Sequence, residues 1–329
     1  MHQYCIVSAL VVQPAPRKLT HGRQLFFITP FRLNFFGVHV SNLNVTLVFS
    51  LPEGHWPGDK GANSVCSMLM HALLLPLVQT LKGCRTLHLD CDNCSGQNKN
   101  CWVVWLCSFL VVVDVCDEVV LHFMVAGHTK NAADGGFSLM KRALKKADVL
   151  TPQDVNRVLS TCSESVTAIP CYDVTWTNWK QLLESVFIGR VPMITKMHTL
   201  TFKAGGVVMA QRLTSSVATM HNLLKKDADV TKLKATWRDQ AKSLELALPI
   251  KSLDELRQGD LSRKQYLEKH VIRPVFANVP GFADRYFSSG SGWEEGPFPE
   301  QEVTQRFTPT PAAASATAAT AAVTTAVDS

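Results

Sequence analysis

Between Asp90 and Asn100 the chain reads "DCDNCSGQNKN", with two carboxylates, two thiols and four carboxamides in eleven residues. An apolar run precedes it and a longer one follows. Asp92 lies just past the first run, where a strand would end. Asp134 lies 42 residues downstream, in "GHTKNAADGG" (Gly127–Gly136). That gap is long enough for one helix and one strand. Two parallel strands joined this way would present both carboxylates at the carboxyl edge of one sheet, where open α/β sheets bind ligands. Hard oxygen ligands in such a position suit Mg²⁺ or Mn²⁺. A pair of these ions can drive in-line phosphoryl transfer. Each acid also has an ordinary explanation: Asp92-Asn93 forms turns well, and Asp134 before Gly135-Gly136 suits a helix start. The pair, in that order of elements, is what suggests chemistry.

The same segment allows a second chemistry. Cys91 and Cys94 form a C-x-x-C that could hold zinc with His88 or Cys101. No second C-x-x-C and no H-x₃₋₅-H follows, so zinc is the weaker expectation. The ten cysteines fall mostly in apolar segments, where a free thiol behaves as a small hydrophobe. They do not read as a disulfide framework. No signal peptide is evident at Met1, so a nuclear or cytoplasmic rather than secreted protein is expected. With 329 residues, 46% of them apolar and 18% charged, the chain can bury a core of ordinary size. A net charge of +6 admits an anionic partner without requiring one. The run "CWVVWLCSFLVVV" (Cys101–Val113) falls short of the roughly 20 residues a spanning helix needs. It reads as a buried helix, and no membrane association is expected.

These residues need a scaffold, and its elements are legible as alternating apolar runs and turn signals. "QLFFIT" (Gln24–Thr29), "RLNFFGVHV" (Arg32–Val40) and "NVTLVFSL" (Asn44–Leu51) read as strands. A helix follows the Gly/Pro-rich loop at residues 51–61, capped by Asn63 or Ser64 and ended by Pro76. "CRTLHLD" (Cys84–Asp90) and "EVVLHFMVA" (Glu118–Ala126) are strands on either side of the buried helix, which Asn98 or Asn100 would cap. "FSLMKRALKKA" (Phe137–Ala147) is an amphipathic helix, and "TPQD" at Thr151 starts another. With an N-terminal strand, the order is an antiparallel meander followed by parallel strands joined through helices. The expected fold is α/β: a ribonuclease H-like mixed sheet covered by helices, with an irregular C-terminal extension. Residues 1–165 would form the core, 166–289 its helical continuation, and 290–329 a disordered tail ending in an Ala/Thr tract. Within 166–289, "TNWKQLLESVF" (Thr177–Phe187) reads as a helix and "MHTLTF" (Met197–Phe202) as a strand, while residues 221–245 carry many lysines and little apolar period.

"LDCDNCSGQNKNCWVVWL" and "FMVAGHTKNAADGGFSLMK" resemble a transposon-derived, ribonuclease H-like domain family of unknown function. That family carries D-N-C-S-G-Q-N-K-N, then G-H-T-K with an Asp shortly after. "LSRKQYLEKHVIRPVF" (Leu261–Phe276) resembles its C-terminal portion, so the similarity spans residues 8 to 280. The resemblance implies a cut-and-paste DNA transposase core or a remnant of one. It assigns Asp92 and Asp134 as metal-binding catalytic carboxylates, with Asn93, Gln97, Asn98 and His128 as loop support. The family's first-strand Asp is missing. Ser8, within a few residues, falls where it is expected, and no Asp or Glu occurs before Glu53. The chemistry is therefore expected to be impaired. The alternative is a non-catalytic nucleic-acid-binding or interaction module. Candidate phosphate contacts are Lys141, Arg142, Lys145 and Lys146, and a second lysine cluster comprises Lys225, Lys226, Lys232 and Lys234. No small-molecule cofactor is implied.

Overall fold

A computed structural model describes residues 2–12, 32–57, 61–75, 78, 85–124, 132–147, 149, 152–213, 216–240, 247–250, 254–267 and 269–270; all belong to one compact unit, Met1–Ala283. Strands β1 (His2–Val12), β2 (Leu33–Val40) and β3 (Val45–Pro52) form the antiparallel meander. β4 (Thr86–Cys91) runs parallel to β1, and β5 (Glu118–Phe123) runs parallel to β4. β6 (Val166–Pro170) joins parallel to β3, while β7 (Thr199–Lys203), β8 (Val207–Gln211) and β9 (Thr219–Asn222) continue antiparallel from β5. The nine strands form one mixed sheet, ordered β6-β3-β2-β1-β4-β5-β7-β8-β9. Its centre runs 3-2-1-4-5, an antiparallel meander continued by parallel strands, as the sequence led one to expect. β10 (Arg257–Gln258) and β11 (Leu261–Ser262) form a separate two-stranded sheet.

Helices cover both faces. α1 (Ala62–Leu74), α2 (Cys101–Val112) and α5 (Trp179–Val186) bury one face with Phe49, Leu89 and Leu121. α3 (Ala132–Lys146) and α4 (Pro152–Thr161) cover Leu33, Phe35 and Val48 on the other. The α2 run is buried continuously from Val103 to Val112, which explains its lack of a polar face. No helix among the described residues is long and apolar enough to cross a membrane. α6 (Val230–Gln240) sets Trp237 edge-on to Phe109 of α2, with centroids 5.2 Å apart. α7 (Arg263–Leu267) is the last α-helix among the described residues.

Several boundaries differ from the sequence expectation. The expected strand at Gln24–Thr29 and the tail at 290–329 lie outside the described residues. α1 begins at Ala62, with Gly61 as a cap that makes no side-chain bond. Asn63 is instead turned to a distant element: its Oδ1 accepts from the Lys180 amide (2.8 Å) and its Nδ2 donates to Asn178 Oδ1 (3.3 Å). α3 starts five residues before Phe137, so residues 132–136 are helical rather than loop. Close packing explains the two glycines here. A Cβ on Gly136 would lie 2.7 Å from the Thr46 side chain, and one on Gly37 would lie 2.6 Å from the Phe137 ring.

Candidate functional site

β4 ends at Cys91, and the chain enters a polar loop held by its own side chains. Asp92 Oδ1 accepts from the Cys94 amide (2.9 Å) and from Asn98 Nδ2 (2.8 Å). The Cys94 carbonyl accepts from the amides of Gln97, Asn98 and Lys99. Asn93 Nδ2 donates to the Met124 carbonyl at the end of β5, and Lys99 Nζ donates to Asn93 Oδ1 (2.8 Å). Asn100 then caps α2, with Oδ1 accepting from Trp102 (3.0 Å) and Val103 (3.1 Å). Its Nδ2 reaches back to the Gln97 carbonyl (3.0 Å). Of the two expected cap residues, the structure selects Asn100, while Asn98 is fully buried beside Asp92. Gln97 contributes its backbone to the turn. Replacing Asn100 with alanine is expected to cost about 1 kcal/mol, since a cap is worth roughly 0.5–2. Urea melts of the variant check this.

The sequence did not single out Lys99. It is 4% exposed, its Nζ lies 4.7 Å from the Phe123 ring centroid, and that Nζ donates to Asn93. Burial pulls its ammonium below the ordinary lysine range. Only its place inside the "NKN" run marks it in the sequence, because burial of a lysine leaves no signal in residue type. On β4 itself, burial pushes the Asp90 carboxyl up, while His122 and His88 oppose the shift. The His88 and His122 rings stack with centroids 5.8 Å apart.

Asp134 is half-buried in the first turn of α3. Its helix reaches the sheet where Phe137 lies over Gly37. Gly37 pairs with Ser8, and Val7 pairs with Cys91. Ser8 thus stands one residue beyond the last β1–β4 pair, level with Asp92 in register. Asp92, Ser8 and the start of α3 belong to neighbouring elements at this end of the sheet. His128 lies outside the described residues. Among the described residues, no group of three or more His, Cys, Asp or Glu side chains could hold a metal ion. Cys91 is buried in the core with Leu89, whereas Cys94 is exposed. Asp92 leaves Oδ2 without a hydrogen-bond partner among the described residues, and the buried Oδ1 of Asn98 meets no donor there either. This donor set suits one hard cation in part, and a two-ion site only incompletely.

Lys141, Arg142, Lys145 and Lys146 are exposed along α3 and form no ion pair with a described residue. The second lysine cluster is partly engaged elsewhere: Lys234 pairs with Asp114 at 2.6 Å.

Residues 31–226, more than half of the chain, match the family described as a domain of unknown function, DUF7869. The chain belongs to that family. The matched stretch of this DUF7869 protein contains the Asp92 loop, Asp134 and the basic face of α3, while Ser8 and α7 lie outside it. Neither a curated protein nor a solved structure matches the chain.

Proposed function

We propose that this DUF7869 domain derives from a transposon-type DNA nuclease and strand-transfer core, and that its cleavage chemistry is impaired. The observation that carries this reading is the register that puts Ser8, rather than a carboxylate, level with Asp92 on the adjoining parallel strand. Asp92, through its open Oδ2, and Asp134 are the residues that would hold Mg²⁺ or Mn²⁺. The ion's contribution would be charge stabilisation at a transferring phosphoryl group. The polar loop preorganises Asp92, with Asn98 donating to its Oδ1 and Asn93 tying the loop to the Met124 carbonyl. A nuclear or cytoplasmic address accords with DNA as the target.

A second reading, a non-catalytic nucleic-acid-binding module, is favoured by the exposed cations along α3, which form no ion pair with a described residue. They follow Asp134 on the same helix, so a backbone lying along them would run toward the Asp92 edge. Duplex binding followed by fluorescence anisotropy tests both readings together. If all four side chains engage phosphates, affinity should fall about a hundredfold between roughly 50 and 200 mM salt. Changing Lys141 and Lys145 to glutamate should flatten that dependence. Binding that ignores salt would remove nucleic acid from both readings.

A further inference from the structure

A cavity of ≈ 200 Å³ opens at the first turn of α2, lined by Cys101, Val104, Trp105, Arg190, Val191 and Ile194. Its walls are mostly apolar, and Trp105 spends its indole N–H on the Gly189 carbonyl (2.7 Å). The charged group at the cavity is Arg190, which is exposed and pairs with no described acid. Ile188 is 67% and Met193 53% exposed on the same connecting segment. Met193 adopts a left-handed backbone (φ 50), and Arg212 Nη2 approaches its sulfur at 3.9 Å. Lys196 ends the one-turn helix that begins at Ile194 and is exposed. Neither Arg212 nor Lys196 forms an ion pair with a described residue. Glu184 is the acid that acts against Arg190 at the Cys101 thiol.

Size and charge together define the occupant. An apolar cavity of about 150 Å³ accepts a benzene-sized group, so this one admits a single large aliphatic or aromatic side chain. It is small for a drug-sized ligand, since such pockets usually reach roughly 300 Å³ or more. Exposed apolar residues beside a pocket, rimmed by charge, mark protein-binding surfaces. Unpaired cations on that rim select acidic partners and speed encounter. A nucleic-acid strand fits less well, because single-stranded binding relies on open aromatic faces for stacking. Trp105 is 4% exposed and lies 6.2 Å from Phe187 in a near-parallel stack.

We infer that this cavity is a docking site for an acidic peptide segment of a partner protein, which inserts one large apolar side chain beside Trp105 and sets a carboxylate on Arg190. The inference is independent of DNA cleavage and uses neither Asp92 nor Asp134.

The probe is a fluorescein-labelled peptide with a Leu-Leu pair flanked by glutamates, titrated with the full chain. Saturable binding that weakens with salt is expected. Arg190→Glu, at an exposed position, should weaken it about tenfold or more, on the scale of a charge-assisted pair. Ile194→Trp, which fills the cavity, should weaken it while circular dichroism and melting remain unchanged. If that variant unfolds, Arg190→Glu decides alone. The proposal is overturned if the peptide does not bind, or if Arg190→Glu leaves its affinity unchanged. It is overturned equally if the Leu→Ala or Glu→Lys version of the peptide binds as well, or if duplex DNA displaces the peptide at equal concentration.

Discussion

Replacing Glu53 with alanine is expected to remove about 3–5 kcal/mol of folding stability, the range for breaking one side of a buried ion pair. Arg263 is 3% exposed as a residue, and its side chain meets Glu53 in a fork. Nε donates to Oε1 and Oε2 at 3.1 Å each, and Nη2 donates to Oε1 at 2.7 Å. Glu53 Oε1 also accepts from the Arg32 amide (2.9 Å). Alanine at position 53 would remove this carboxylate from a desolvated guanidinium. A typical domain has roughly 5–15 kcal/mol in total, so the variant should lose a large share of its stability. Arg263→Met should be comparably damaging. The double variant should cost less than the two single costs combined, because neither charge is then stranded. Urea melts of the three variants measure this. A Glu53→Ala cost below about 0.5 kcal/mol would place the pair among exposed bridges of little worth.

That pair also marks where sequence reading stops. Glu53 is the first acid in the chain, and Arg263 follows 210 positions later. No local period or motif could join them. Asn63 is a similar case: its residue type argued for a cap, but a contact with α5 determines its role. By contrast, the buried α2 run and strands β4 and β5 were readable, because each is written in contiguous residues, the parallel β4–β5 pair followed from the helix between them, and the α2 cap was narrowed to Asn98 or Asn100. β6, β8 and β9 have only four or five residues each, too few to show a period, so the width of the sheet went unseen. α6 did leave a trace: Val230, Leu233 and Trp237 are spaced for one helical face, and Asp229 Oδ1 accepts from the Lys232 amide (2.8 Å). Its many lysines masked that spacing. At the candidate site, Asp92 and Asp134 were legible as types in the right order. The level of Ser8 was not, because the sequence alone left its register open by a few residues. The Val7–Cys91 pairing supplies what was missing.

The second large effect concerns that position. Two-ion phosphoryl transfer needs carboxylates that bridge the ions and also anchor each separately. Asp92 and Asp134 offer part of one set. On the proposed reading, with serine level with Asp92 one ion would lack an anionic anchor and the attacking water would lack a fixed origin. Loss of one such ligand should cost on the order of 4 kcal/mol of transition-state stabilisation, within the scale of metal charge stabilisation. At about 1.36 kcal/mol per tenfold, this is roughly a thousandfold in rate. Ser8→Asp should recover much of it. Ala9→Asp and Leu10→Asp, displaced along β1, should not.

The decisive measurement is Mn²⁺-dependent nicking of supercoiled plasmid by the unmodified chain, Ser8→Asp, and Ser8→Asp combined with Asp92→Ala. The expected result is little nicking by the first, clear nicking by the second, and its loss in the third. Robust nicking by the unmodified chain that persists in Asp92→Ala and in Asp134→Ala would contradict the account and place the chemistry elsewhere.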